Sequence, residues 1–428
     1  MSALLCIGIP TFERADDLEH LLACLERQLS DTREDVTVFV SDNASADRTP
    51  ELLREAAERL PWLRVHRQAT NLGAAPNMHW LIDHAGGSEY LWLIGDDDVP
   101  HDGALAAVVD LLRGERPAWL HLPHRWVDPS GRVVGASPAR GHVERYADAG
   151  DMYRAHHHWL TFLSASIVRT RGLQQSIREV RCDNAYIPLL WFFRAGLDGP
   201  CVAAAEHLLD GGTEITWADR RHTIMTLDFT ALYDDGLHAG LSEAEFGATL
   251  DGFYVDGWAF DLWERLPIEQ LADAVARFPQ SQGLRDYLWR LARAQTRRDL
   301  LAVLDDAARA VGDDAVAREL VATGEEAFAG GDAQAAAQRF AEAAARLPGL
   351  SAAWNNLAVT AHHLGLPDAR IYVEHALFVA PHDRDALLNR GAIRLADGDR
   401  VGAQADAASV IERDPEDPDA RQLLTLAG

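Results

Sequence analysis

The chain has 428 residues, 48% hydrophobic and 25% charged, which is apolar material enough for two or three domains of about 150 residues each. Its 66 acidic residues outnumber 40 basic ones, for a formal charge of −26, and this excludes binding of nucleic acid or anionic lipid through a broad basic face. A phosphate ligand in a single pocket stays open, because a divalent cation there would invert the local sign. Cys6, Cys24, Cys182 and Cys201 form no C-x-x-C pair and read as reduced buried thiols rather than a zinc or redox motif. No apolar run reaches the ~18 residues of a membrane span, and no basic segment followed by an apolar one opens the chain, so a cytoplasmic location is expected.

Residues 1–122 alternate strand and helix patterns. Leu4–Ile9 reads as a strand ending at Pro10, and Leu18, Leu21, Leu22, Leu25 and Leu29 recur at helical spacing. Val36–Ser41 is a β-branched run ending at Asp42. Leu52, Leu53, Ala56, Ala57 and Leu60 form the next helical stripe. Leu63–Arg67 is a third strand, followed by a helix through Met78, Leu81 and Ile82. Tyr90–Ile94 is a fourth strand, and it runs into Gly95-Asp96-Asp97-Asp98. A helix over Asp102–Leu112 and a strand over Ala118–Leu122 follow. Such alternation predicts an α/β fold, a mostly parallel, doubly wound sheet with helices on both faces. Ligands of such sheets bind beyond the carboxyl ends of the strands, where Thr11, Asp42, Asn71 and Asp96–Asp98 fall.

Residues 123–215 are less regular, with a strand expected over Phe162–Arg169 and an apolar helix over Ala185–Ala195, preceded by Cys182-Asp183-Asn184. Residues 225–312 read as helical, with Trp258, Phe260, Leu262 and Trp263 in a core. The end of the chain repeats. Gly331, Gly365 and Gly398 correspond, as do Ala336, Ala369 and Ala403; Phe340, Val373 and Ala407; Ala343, Ala376 and Val410; and Pro348, Pro381 and Pro415. The period is 34 residues with one unit a residue short. A small residue at a helix crossing, a bulky one beside it and a closing proline suit stacked helix–turn–helix units. This segment resembles tetratricopeptide repeats. The expected organisation is 1–224 for the α/β domain, 225–316 for a helical extension and 317–428 for the array.

The acidic triplet carries the chemistry. Two carboxylates spaced i, i+2 in a turn can aim at one point, and hard oxygen ligands suit Mg²⁺ or Mn²⁺ together with substrate phosphates. The triplet is the last of an ordered set: Pro10-Thr11-Phe12-Glu13-Arg14 after the first strand, Ser41-Asp42-Asn43-Ala44-Ser45 after the second, Asn71-Leu72-Gly73 after the third and Asp96-Asp97-Asp98 after the fourth. Over residues 4–122, and more loosely to 222, this set resembles the N-terminal half of family 2 glycosyltransferases, which have the GT-A fold.

The resemblance implies a metal-dependent, inverting transfer of a sugar from a nucleotide diphosphate donor to a glycan or protein acceptor. It places Pro10, Thr11 and Glu13 against the nucleoside and Asp42 at the base edge. Asn71 and Gly73 would shape the pocket wall, Asp96 would lie near the ribose, and Asp97 would join the nucleotide-binding residues. Asp98 would bind Mn²⁺ or Mg²⁺. Asp183 stands where the family has its general base, and it reads equally as a helix N-cap. Arg220, Arg221 and His222 loosely match a segment whose Arg or His reaches the diphosphate or the metal, with Arg220 and Arg221 assigned to the diphosphate and His222 to the metal, and they read equally as an exposed basic turn. Asp47 and Thr49 read as helix caps. His156-His157-His158 reads as a partly exposed polar stretch and not a chelate.

Two other readings are weighed. A nucleotidyltransferase would open with a Gly-rich loop after the first strand, and Pro10–Arg14 contains no glycine. A non-catalytic scaffold would use the repeats alone, and the intact triplet argues against it. For the repeats, the expected partners are a second protomer, a protein acceptor or another protein.

Overall fold

In the computed structural model the structure describes residues 3–29, 34–180, 186–212, 236, 239–242 and 268–428. The chain divides into two compact units, Met1–Phe253 and Tyr254–Gly428, taken here one at a time.

The first unit opens with β1 (Leu5–Thr11), α1 (Ala15–Gln28), β2 (Val36–Asp42), α2 (Thr49–Arg59), β3 (Leu63–Arg67), α3 (Ala74–His84) and β4 (Tyr90–Leu93). After the acidic triplet come β5 (Val99–Pro100), α4 (Ala104–Glu115), β6 (Trp119–His121), β7 (His124–Val127), β8 (Val133–Ala136), β9 (Glu144–Tyr146), α5 (Ala149–His156), β10 (Ser166–Arg169), α6 (Thr170–Glu179), α7 (Ile187–Gly196), β11 (Cys201–Ala203) and β12 (Leu209–Gly212). Among the described residues the strands form an eight-stranded sheet in the order β3-β2-β1-β4-β10-β6-β11-β9 and a four-stranded sheet in the order β5-β12-β7-β8. β3, β2, β1 and β4 run parallel, whereas β10 runs antiparallel to both neighbours and β9 antiparallel to β11. The expected parallel sheet is thus the first half of a mixed one.

Its layers follow from a period of two. Leu5, Ile7 and Ile9 of β1 and Val36, Val38 and Val40 of β2 turn one face toward Leu18, Leu21, Leu22 and Leu25 of α1, Leu53 of α2 and Leu105, Val108 and Leu112 of α4, in one buried cluster. The other face packs α3, α6 and α7. There Gly8 leaves room for its neighbours: a Cβ at this position would lie 3.1 Å from Leu93 and 3.3 Å from Leu91. The strand expected over Phe162–Arg169 is only half a strand. Leu163–Ala165 is a 3-10 turn, and pairing begins at Ser166. The helix expected over Ala185–Ala195 runs Ile187–Gly196, with Pro188 in its first turn.

In the second unit α8 (Ile268–Arg277), α9 (Gln282–Ala294) and α10 (Leu300–Ala310) precede the array. α11 (Asp313–Ala329) pairs with α12 (Ala333–Arg346), α13 (Ser351–His363) with α14 (Ala369–Val379), and α15 (Arg384–Ala396) with α16 (Arg400–Ile411), before α17 (Pro418–Ala427). The periodic residues take the expected places. Gly331, Gly365 and Gly398 turn between paired helices at φ +86, +68 and +84, a conformation that favours glycine. Ala336, Ala369 and Ala403, and likewise Phe340, Val373 and Ala407, are buried. Gly324 explains the closeness of the first pair, because a Cβ there would meet the Phe340 ring at 2.5 Å.

Candidate active site

β1, β2 and β4 are adjacent and parallel, so the polar residues that end them meet at one edge. Thr11 pairs in register with Asp42. The Thr11 hydroxyl donates to Asp96 Oδ2 at 2.7 Å. This contact spans 85 residues and joins the first motif to the last. Glu13 sits in the turn beyond β1 at φ +54, held by its N–H on Ser45 Oγ at 2.8 Å.

Asp42 is buried, and each of its carboxylate oxygens has a partner. Its Oδ1 accepts the Ser45 N–H at 2.9 Å, and its Oδ2 accepts Arg67 Nη1 at 3.1 Å. Arg67 also donates to the Ser45 carbonyl at 2.8 Å, so the loop after β2 is tied to the end of β3. Asn43 is the latch of the third motif. Its Nδ2 donates to Asn71 Oδ1 at 2.9 Å and to the Gly73 carbonyl at 3.2 Å, and its Oδ1 accepts the Leu72 N–H at 2.9 Å. Gly73 has φ +89, the glycine conformation this wall needs. Asn77 lies beneath, accepting Ser41 Oγ at 2.7 Å and donating to the Ser41 carbonyl at 3.0 Å. Asp47 accepts the N–H groups of Thr49 at 3.0 Å and Ala15 at 3.3 Å. It therefore caps the starts of α1 and α2 together, as the capping reading expects; Thr49 itself is the first residue of α2.

The three acids of the triplet have distinct surroundings. Asp97 pairs with Arg14 Nη1 at 2.6 Å, and the same nitrogen reaches Asp96 Oδ1 at 3.4 Å. Asp96 is 6% exposed, and burial pushes its carboxyl up to about 6 although Thr11 and Arg14 oppose the shift. Asp98 is also 6% exposed. It accepts the Ser164 hydroxyl and a backbone bond from Gly212. Burial first, and then the charge of Asp97, raise it far above an ordinary aspartate. Ser164 Oγ accepts the Gly95 N–H at 2.8 Å, and the Ser164 carbonyl accepts the Trp92 indole N–H at 2.7 Å. A side chain at Gly95 would collide with Asp98 Oδ2 at 2.7 Å, so the triplet can fold back only after a glycine.

Two carboxylates with raised protonation, packed with one nearby arginine, form a donor set that fits a hard divalent cation, which would reverse both shifts. Among the described residues no three His, Cys, Asp or Glu side chains are grouped to hold an ion by themselves. That suits Mg²⁺ or Mn²⁺ bound by one or two carboxylates with the rest of the shell left to phosphate and water.

Asp183, Arg220, Arg221 and His222, and the tryptophan-rich stretch at 258–263, lie outside the described residues. The histidine triplet departs from its expected exposure. His156 is 2% exposed and bonds Tyr146 Oη at 2.9 Å, and His158 is 8% exposed. The 3-10 turn that starts at His157 (φ +44) folds the run inward. Arg14, Asn43, Arg67 and Ser164 went unassigned in the sequence. Arg14 was within reach, since it ends the first motif.

Residues 6–132 match the family model described as Glycosyl transferase family 2. No curated protein matches the chain. Among solved structures, the chain is similar to S. aureus TarS at 17% identity and a TM-score of 0.47, with 66% of this chain and 50% of that one covered. The chain thus spans half the length of that relative. It is also similar to the mannosyltransferase PcManGT from Pyrobaculum calidifontis in complex with GDP-Man and Mn²⁺ (17% identity, TM-score 0.42, 72% and 86% covered). Its repeats are similar to the first TPR of Spaghetti (RPAP3) bound to an HSP90 peptide (22% identity, TM-score 0.26, 27% and 91% covered). No described helix is long and apolar enough to cross a membrane. The four motifs assembled at one sheet edge lie within residues 6–132, which match the model described as Glycosyl transferase family 2, and a tetratricopeptide-type array of helix pairs follows later in the chain.

Proposed function

We propose that the protein is a metal-dependent inverting glycosyltransferase that moves a sugar from a nucleotide diphosphate donor to a glycan or protein acceptor. The observation that carries this is Asp98: a carboxylate 6% exposed, with a hydroxyl and a backbone group as partners, at the edge where all four motifs meet. Such a group is costly to ionise until a cation arrives.

Thr11, Glu13 and the wall of Asn71 and Gly73 hold the nucleoside. Phe12, 38% exposed for a large apolar ring, offers it a face. Asp42 braces this wall through Arg67 and presents its remaining lone pairs to the base edge. Asp96 and Asp97 lie on the ribose side, and Asp98 holds Mn²⁺ or Mg²⁺. When bound, the ion neutralises the charge that develops on the departing diphosphate. Arg220 and Arg221 are assigned to the same diphosphate and His222 to the ion. Asp183 is assigned to take the proton from the acceptor hydroxyl as it attacks the anomeric carbon. The repeats are assigned to a protein partner, a second protomer or a protein acceptor, because stacked helix pairs give extended concave surfaces.

Thermal unfolding with UDP, GDP, dTDP and CDP, each with and without Mn²⁺, tests the reading on wild type and Asp98→Ala. A nucleotide at 100 times its dissociation constant adds about 2.7 kcal/mol. The expected outcome is a Mn²⁺-dependent shift with one nucleotide that disappears in Asp98→Ala. If folded wild type responds to no nucleotide, the domain is not a working transferase and the repeats carry the function.

A further inference from the structure

A serine that belongs to none of the four motifs is gripped by the strand that leads into the acid triplet. Ser164 is 0% exposed and sits in the 3-10 turn Leu163–Ala165, just before β10. The turn is fixed from several sides. The Trp92 indole of β4 donates to the Ser164 carbonyl at 2.7 Å. The Leu122 N–H donates to the Ala165 carbonyl at 2.8 Å. Ile167 pairs with the same Trp92 in the antiparallel ladder of β10 and β4. Backbone and indole together bring the serine to one place, whatever its side chain does there.

The hydroxyl then bonds in both senses. Its oxygen accepts the Gly95 N–H at 2.8 Å, and its hydrogen goes to Asp98 Oδ2. A hydroxyl has one hydrogen, so with the Gly95 N–H aimed at the oxygen the hydrogen is left for the carboxylate. The Gly95 carbonyl accepts the Asp98 N–H at 3.2 Å. The turn that bears the triplet is thus closed by its own backbone and braced by the serine. Oδ2 comes so near Gly95 that a Cβ there would lie 2.7 Å from it.

A serine that only finished its own turn would give its hydrogen to a nearby carbonyl. Thr161 does so, to His158 at 2.6 Å, and Ser176 does so, to Gly172 at 3.0 Å. Ser164 gives its hydrogen to a carboxylate 66 residues earlier in the chain. Bonds to a charged acceptor are the stronger class, and carboxylates that ligate metals are held by partners of this kind.

We propose that Ser164 is a positioning residue for the divalent cation: its hydroxyl holds Asp98 in the orientation in which the carboxylate meets the ion. This rests on the transferase reading above, which gives Asp98 to the cation. Each carboxylate oxygen has two lone pairs, so the bond to Ser164 leaves others for the ion. Without the hydroxyl, the ion itself has to order the carboxylate, and affinity falls.

The test is Mn²⁺ binding by the full chain, read from loss of the free-ion EPR signal, with the nucleotide that stabilises wild type and with no sugar donor. In S164A the dissociation constant for Mn²⁺ should rise roughly tenfold to a hundredfold. S164C, which keeps a weak donor in the same place, should lie between, and it carries the comparison if S164A does not fold. Transfer by S164A should recover as Mn²⁺ is raised in proportion, whereas transfer by Asp98→Ala should not. A serine that only supports the fold would lower the melting temperature of the metal-free protein and leave the Mn²⁺ constant where it was. That result, in folded S164A, overturns the positioning role and leaves the transferase reading standing. Mn²⁺ binding that weakens in S164A, in a protein that transfers no sugar, supports the positioning role and removes the transferase reading instead. Wild type that takes up no Mn²⁺ with any nucleotide overturns both.

Discussion

Both units bury acids: those described in the helical unit meet arginine, as Asp42 of the sheet unit meets Arg67, and the acid triplet departs from that pattern. In the helical unit each buried acid meets arginine. Asp313 lies between Arg285 and Arg346, 2.7 Å from each, and Asp406 between Arg390 at 2.6 Å and Arg394 at 2.8 Å. In the sheet unit two of three consecutive acids, Asp96 and Asp97, share Arg14, and the third, Asp98, meets the hydroxyl of a neutral serine. Charge matched on site is architecture. Charge left short of cation marks the triplet as the place to which the proposed function assigns the metal and the nucleotide.

The sharpest way to break this comparison is Asp406→Ala. Both guanidiniums would lose their buried carboxylate and keep only the more exposed Glu374, at 2.9 and 3.6 Å, and a loss of about 3 kcal/mol is expected, read as a lower denaturation midpoint of the helical unit, with no dependence on Mn²⁺. A much smaller loss would mean that the repeat pairs are as dispensable as surface ones.

Asp96→Asn tests the other side. The native carboxyl, raised to about 6, holds a proton that the unfolded chain has given up above pH ~3.9. Between about pH 4 and 6 the native state binds more protons than the unfolded one, so stability falls as pH rises through that window. Removing the charge should stabilise the metal-free protein at pH 7 relative to pH 4 by roughly 2 kcal/mol compared with wild type. Differential scanning calorimetry at both pH values, on the two proteins, reads this. Saturating Mn²⁺ should erase most of the difference, and parallel melting curves across the range would mean that burial does not raise the Asp96 carboxyl.

Smallest is Asp47→Ala. It deletes one side chain that serves two helix starts, at a cost of about 1 kcal/mol, with nucleotide binding retained. A loss of nucleotide binding as large as that from Asp98→Ala would make Asp47 part of the site and not of the frame.

Much of this arrangement was legible in the sequence, for a geometrical reason. In a strand–helix alternation every residue that follows a parallel strand falls on the same edge, so Thr11, Asp42 and Asp96 could be grouped before their contacts were seen. The repeats were legible because Gly331, Gly365 and Gly398 must each occupy a left-handed turn. The second half of the first unit was not. β5, β7 and β12 are two to four residues long, too short for alternation to register. Ser164 was hidden inside an apolar run that looks like one strand and is broken by a 3-10 turn. The burial of His156 depends on β9, whose Tyr146 lies ten residues away, and no local pattern announces it.

The bond from Ser164 to Asp98 spans 66 residues and reaches beyond the segment that the family model covers, 6–132. During synthesis the first four strands, with every motif, leave the ribosome well before this serine does. The nascent half-sheet therefore carries its acids without the hydroxyl that holds the last of them and without β10, the strand that covers β4. The surroundings of the acid triplet are completed late, by a stretch of chain that contributes one hydroxyl and one strand, so their assembly waits on the translation of residues that carry no signature of their own.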